Sequence, residues 1–148
     1  MILGVLGLSV GLFACGDDQD PEGAADLLQR LRDDDYQSWA RGPGYAERRV
    51  SFAAHGDEVE IFVNEVAAKA LSSDDGLETW PVGSIIAKDG YDEDGTHLLV
   101  AAMEKRADGW YWAEWDAESG TSDYSGKPGI CIDCHASGSD YVRAFSLP

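Results

Sequence analysis

Cys131, Ile132, Asp133, Cys134 and His135 constrain this chain more than any other feature. With three Cys and three His in 148 residues, chance would place a CxxCH run roughly 0.001 times. Cysteines at i and i+3 of a helical turn project to one side, where their sulfurs can add to the two vinyl groups of a haem. The next residue, His135, then offers an imidazole to the iron. The motif therefore predicts a covalently attached haem c, with Cys131 and Cys134 as attachment points and His135 as metal ligand. Three other readings compete. A redox CxxC belongs in a strand–helix context, a zinc site needs further ligands that only His55 or His97 can supply, and an exported chain can oxidise the pair to a strained local disulfide.

Export is itself written in the sequence. Residues 1–14, MILGVLGLSVGLFA, carry no charge and are too short for a span of about 20 residues, but suit a secretory leader. Cys15 follows directly, as in a bacterial lipoprotein processing box, which makes it a candidate lipidation site. An ordinary secretory leader with an incidental cysteine is the competing reading. Acylation would anchor the chain durably to a membrane and place it in the bacterial cell envelope, facing the periplasm. Residues 15–23 then read as an acidic tether, and 24–148 as one folded domain. The formal net charge of −17 argues against nucleic acid as a partner, because phosphate backbones would be repelled.

Within that domain, Leu27, Leu28, Leu31, Tyr36 and Trp39 recur at helical intervals, with Asp33, Asp34 and Asp35 as a solvated face. The alternation of Val59, Ile61 and Val63 with Glu58 and Glu60 predicts a strand over 58–63, and Asn64 caps a helix over 65–71. Further strands are predicted from Pro81–Gly83 to Lys88, from Leu98 to Met103, and from Trp110 to Trp115, with a turn at 89–95. Gly120, Ser125, Gly126 and Pro128 break the pattern before the CxxCH run. The fold class is α+β, mainly antiparallel β-sheet with flanking helices.

A haem that carries electrons fills both axial positions, and one that handles small molecules leaves a position open. After leader removal Met103 is the sole methionine, and His55 and His97 are the sole other imidazoles. Met103 reads as a core residue, and the two histidines as turn or surface residues. An open sixth position is expected. The alternative is a six-coordinate periplasmic electron-transfer cytochrome using one of these three side chains.

The run His55–Gly56, then VEIFVN at 59–64, Ala67 and Ala70, WPVGSIIAKDGYD at 80–92, MEKR at 103–106, WYWAE at 110–114 and CIDCHASGSDYV at 131–142 resembles the cytochrome P-460 family, which includes cytochromes c′-beta. The resemblance implies a mostly antiparallel β domain, a homodimer, a five-coordinate haem, and an electron-transfer protein as redox partner. It also implies that Lys88, in the run GSIIAK, matches the lysine that crosslinked members bond to the macrocycle, so Lys88 is the candidate catalytic and cofactor-binding residue. An ammonium held against haem would be desolvated, exposing a nucleophilic amine. The competing reading is a lysine that snorkels from an exposed turn.

Positions that carry an arginine and a carboxylate over the iron in some members fall near Val59 and Ala102, so an apolar distal face is expected. That favours binding nitric oxide over oxidising hydroxylamine, which needs a base. Phe52, Phe62, Trp110 and Trp112 are candidates to cap the pocket. Asp140 and Tyr141 are candidates to anchor the haem helix or orient His135. The expected function is binding or oxidation of small nitrogen species at the iron, with enzyme activity left open.

Overall fold

The computed structural model describes residues 19–148; the leader and Cys15 lie outside them. Ordered chain begins earlier than the sequence suggests. Helix α1 spans Pro21–Asp33, so it starts inside the stretch read as a tether. Local chemistry explains the early start. The Asp20 side chain accepts from Gly23 N at 2.9 Å, Pro21 occupies the first turn, and Arg30 and Arg32 sit at the C-terminal end. The start is also tied to the sheet, since Tyr111 Oη donates to Asp20 O at 2.9 Å and Asp20 N donates to Ser125 Oγ at 2.9 Å.

After a short 3₁₀ turn at Tyr36–Ser38 the chain forms β1 (Ala40–Arg41), β2 (Arg49–Val50), β3 (Glu58–Val63), α2 (Glu65–Leu71), β4 (Ile85–Tyr91), β5 (His97–Arg106), β6 (Gly109–Asp116), β7 (Ser122–Gly126) and α3 (Gly129–His135). The strands make one seven-stranded sheet in the order β1-β3-β4-β5-β6-β7, with β2 also paired to β3. Every pairing between these strands is antiparallel. The α+β class, with a mainly antiparallel sheet and three helices among the described residues, is therefore as expected.

The sheet separates two cores. On one face α1 buries Ala24, Leu27, Leu28 and Leu31 against Phe62, Ile85, Ala87, Val100, Ala102, Tyr111, Ala113 and Trp115. Each buried leucine there contributes about 1.5–3 kcal/mol of transfer free energy. The other face carries Ile61, Val63, Ile86, Met103, Trp110 and Trp112, covered by Ala67 and Ala70 of α2, by Trp80, and by Cys131, Ile132 and the C-terminal segment. α3 lies on this second face.

Several strand boundaries differ from expectation: β5 and β6 run longer than predicted, β1, β2 and β7 were not predicted, and β4 starts and ends later, a shift that decides where the chemistry sits. β4 runs three residues beyond Lys88, so Lys88 is mid-strand rather than at the edge of an exposed turn. The turn comes later, where Gly95 N donates to Asp92 O at 3.0 Å and Thr96 N to Asp92 Oδ1 at 2.7 Å. β7 is another difference. Its serines and glycine read as breakers, but Ser125 is buried at the sheet edge and its backbone pairs with Ala113. No helix among the described residues is long and apolar enough to cross a membrane.

Candidate functional site

α3 carries the CxxCH run. Pro128 precedes it with φ −64°, and its carbonyl accepts from Cys131 N and Ile132 N, each at 3.1 Å. Cys131 packs toward the apolar cluster, whereas Cys134 is exposed and receives Arg143 Nη1 at 3.0 Å from its Sγ. No disulfide joins these two cysteines. Among the described residues no group of three or more His, Cys, Asp or Glu converges as a bare metal ion requires. The zinc reading thus has no ligand set there.

The segment after α3 folds back and fixes His135. Ser139 and Val142 exchange two backbone bonds of 3.0 Å, and a Cβ on Gly138 would lie 2.4 Å from Val142 O, so only glycine fits. Asp140 and Tyr141 both adopt left-handed backbone, with φ 44° and 67°. That costs about 1–3 kcal/mol per residue and persists because Asp140 is held from three sides. Its carboxylate accepts Lys105 Nζ at 2.8 Å on both oxygens and Trp80 N at 2.8 Å, while its carbonyl accepts Trp110 Nε1 at 2.8 Å. The resulting turn aims the Tyr141 carbonyl at His135, whose Nδ1 donates to it at 2.8 Å. With the proton fixed on Nδ1, Nε2 keeps its lone pair for a metal. Asp140 and Tyr141 therefore orient His135, one of the roles the sequence left open for them.

Lys88 faces the same side. In register it stands between Ile61 and Ala101, and Ala101 in turn pairs with Glu114, so Lys88, Ala101 and Glu114 form one row across the sheet. Its Nζ makes no hydrogen bond or ion pair with any described residue. Burial pushes its pKa down to about 8, against the pull of Glu114 and Cys134 and with the help of Arg143. The same neighbourhood acts on His135. Burial lowers its pKa, the Tyr141 bond opposes that, and Lys88, His55 and Arg143 lower it further.

Register corrects the expectation of an apolar distal face. Ala102 points into the α1 core, so only Val59 of the two expected positions lies on the site's face. Glu114 brings a carboxylate to that face instead, and its Oε2 lies 2.7 Å from His55 Nδ1. The His55 ring is 6.4 Å from that of His135, centroid to centroid, and Trp112 is also 6.4 Å from it. His55 is thus a site residue rather than a bland turn residue.

The other candidates divide cleanly. His97 is on the α1 face, stacked on Tyr91 at 5.0 Å and 3.4 Å from Asp89 Oδ1. Met103 is buried in the cluster beneath α3. Of the four aromatics expected to cap a pocket, Trp110 and Trp112 face the site, Phe62 lies in the α1 core against Tyr36, and Phe52 is fully exposed. Glu114 and Arg143 are residues that sequence reasoning missed. A charged residue flanked by Trp112 and Trp115 in a strand was the available signal for Glu114, but which face it takes depends on register.

The donor set fits a haem: two thiols one helical turn apart, an imidazole with its tautomer fixed, and an amine with no partner among the described residues. The buried Trp112 Nε1 has no hydrogen-bond partner, and it belongs to the ring that borders His135. Compared with models of protein families, with curated proteins and with solved structures, the chain matches none.

Proposed function

We propose that this chain is a mono-haem c-type cytochrome of the P-460 kind, exported and lipid-anchored through Cys15, that binds or oxidises small nitrogen species such as nitric oxide or hydroxylamine. Cys131 and Cys134 would hold the haem, His135 would ligate its iron, and Lys88 would be its candidate modifier. One observation carries this reading: a desolvated, half-buried lysine that makes no hydrogen bond or ion pair with any described residue shares the sheet face on which the CxxCH helix rests. Burying an ammonium alone is costly, so its placement makes sense where the neutral amine has a use.

When bound, the haem supplies an iron that coordinates a small ligand and exchanges electrons. The chain's own residues do the rest. Tyr141 O orients His135, Arg143 holds Cys134 Sγ, and Trp112 walls the site beside His135. The Glu114–His55 pair gives the face groups able to accept protons, which hydroxylamine oxidation requires and nitric oxide binding does not. An electron-transfer protein of the periplasm would carry electrons away, and a homodimer is the expected assembly.

The test is maturation of the full chain with c-type haem machinery, followed by a haem stain after denaturation. Wild type should retain haem and Cys131→Ser/Cys134→Ser should lose it; absence of bound haem in the wild type would refute the reading. Turnover of hydroxylamine with an added oxidant then separates oxidation from simple binding.

A further inference from the structure

We propose that His55 is the second axial ligand of the iron, trans to His135, and leaves when a small ligand binds. This rests on the haem reading above and replaces a permanently open position with a gated one. Three sets of contacts lead here.

The first is the path of the 51–57 segment, which lies back across the sheet on the site's face. Ser51 N donates to Asp57 O at 2.7 Å and Asp57 N to Tyr91 O at 2.8 Å. The crossing needs two glycines. A Cβ on Gly90 would stand 2.1 Å from His55 O, and one on Gly56, at φ 102°, would stand 2.8 Å from Tyr91 N and O. The bare backbone of Gly90 therefore seats His55 against the sheet rather than out in solvent.

The second is the tautomer. Glu114 Oε2 accepts His55 Nδ1–H at 2.7 Å, which leaves Nε2 with its lone pair. This is the carboxylate–histidine–metal arrangement by which proteins orient ligating imidazoles. His135 has the same state, imposed by the Tyr141 carbonyl. Both rings thus present an unprotonated Nε2.

The third is distance. Two imidazoles bound through Nε2 on opposite sides of one metal, with bonds of about 2.0–2.1 Å, have ring centres roughly 6.3–6.5 Å apart. The His55 and His135 centroids are 6.4 Å apart. Their Cα positions are fixed independently, one by the Gly90 crossing and the other by the Asp140 turn. Neither rival ligand is so placed, since Met103 is buried beneath α3 and His97 lies on the α1 face.

A displaceable ligand weakens binding of an incoming molecule by the fraction of time it is absent. If His55 is off the iron about 1–10% of the time, its removal tightens carbon monoxide binding to the ferrous protein by about 10- to 100-fold. The experiment uses the full chain matured with haem, read by electron paramagnetic resonance and visible spectra. Wild-type ferric protein should be low-spin, His55→Ala should be high-spin, and added imidazole should restore the low-spin signal. Carbon monoxide titration should show the tightening. A high-spin wild-type spectrum unchanged by His55→Ala would overturn the assignment, as would a low-spin spectrum that survives it. Both outcomes leave the haem reading standing, whereas a mature chain without covalent haem would remove the haem reading itself. The wild-type spectrum decides even if the variant fails to fold.

Discussion

Asp140→Ala tests whether the turn after α3 is held by the contacts it makes. The substitution removes three charge-assisted bonds of 2.8 Å, two from Lys105 Nζ and one from Trp80 N. A bond to a charged group contributes about 1.5–3 kcal/mol. It also strands the Lys105 ammonium, whose side chain is 15% exposed beside an 11% exposed partner. A fully buried orphan charge costs about 3–5 kcal/mol, and partial exposure with the Trp110 ring 5.2 Å away reduces that. Alanine at φ 44° adds a strain of about 1 kcal/mol that aspartate tolerates better. Together the loss should be about 3–5 kcal/mol, which for a domain of this size is roughly a 10 °C drop in Tm. Urea unfolding followed by circular dichroism measures it. Adding Lys105→Met, which removes the stranded charge, should recover about half. A loss under about 1 kcal/mol would refute the reasoning, since that is the scale of a screened surface pair.

Gly90→Ala should displace the 51–57 segment, because its new Cβ would meet His55 O at 2.1 Å; the matured protein should then lose low-spin signal as His55→Ala does, with the sheet's circular dichroism intact. Lys88→Met should stabilise the haem-free chain by roughly 1 kcal/mol in urea unfolding, because it removes a desolvated, half-buried ammonium with no ion-pair partner among the described residues. The Glu60 carboxyl is raised by burial, but bonds from Tyr91 and Arg41, with the Arg41 and Arg48 charges, more than offset this and lower its pKa. Its contribution is therefore present above the ordinary carboxylate range, about pH 4.3, and is lost as pH falls through the lowered folded value. Glu60→Gln should flatten the acid limb of a urea-midpoint profile against pH.

What the sequence shows, it shows through local signals. Strand 58–63, the Asn64 cap and helix 65–71 match residue for residue, because alternation and capping act within a few positions. The CxxCH run, one helical turn of α3, is equally local. The facing of Lys88 and Glu114 is not, because a slip of one residue in register exchanges the two faces of a strand. The β4–β5 ladder is set by a turn placed three residues later than the polar run Asp89–Gly95 suggests, and that placement moves Lys88 from a turn to a strand centre. The error at Ala102 has the same origin. Its neighbour Ala101 is chemically identical, so nothing in composition says which of the two faces α1. His55 was visible as a residue but not as a site, since its crossing at Gly90 joins positions 35 residues apart.

Several departures from ordinary stability rules lie around α3, while others, the left-handed Asp35 and the unpartnered Trp115 Nε1, lie beside α1 and in its core. Two consecutive non-glycine residues in left-handed backbone, a half-buried, desolvated lysine with no ion-pair partner among the described residues, and the unpartnered Trp112 indole N–H lie around α3. On the opposite face, the buried Asp89 carboxylate is fully satisfied by Tyr36 Oη and Gln37 Nε2, each at 2.6 Å. The chain thus supplies hydrogen-bond donors to the Asp89 carboxylate, whereas Lys88, beside the two thiols and the imidazole, has no hydrogen-bond or ion-pair partner among the described residues. Strained backbone and unpaired polar groups cluster at sites that put them to use. That contrast between Asp89 and Lys88, consecutive residues on opposite faces of β4, favours a group seated over Lys88 and weighs against a merely structural lysine.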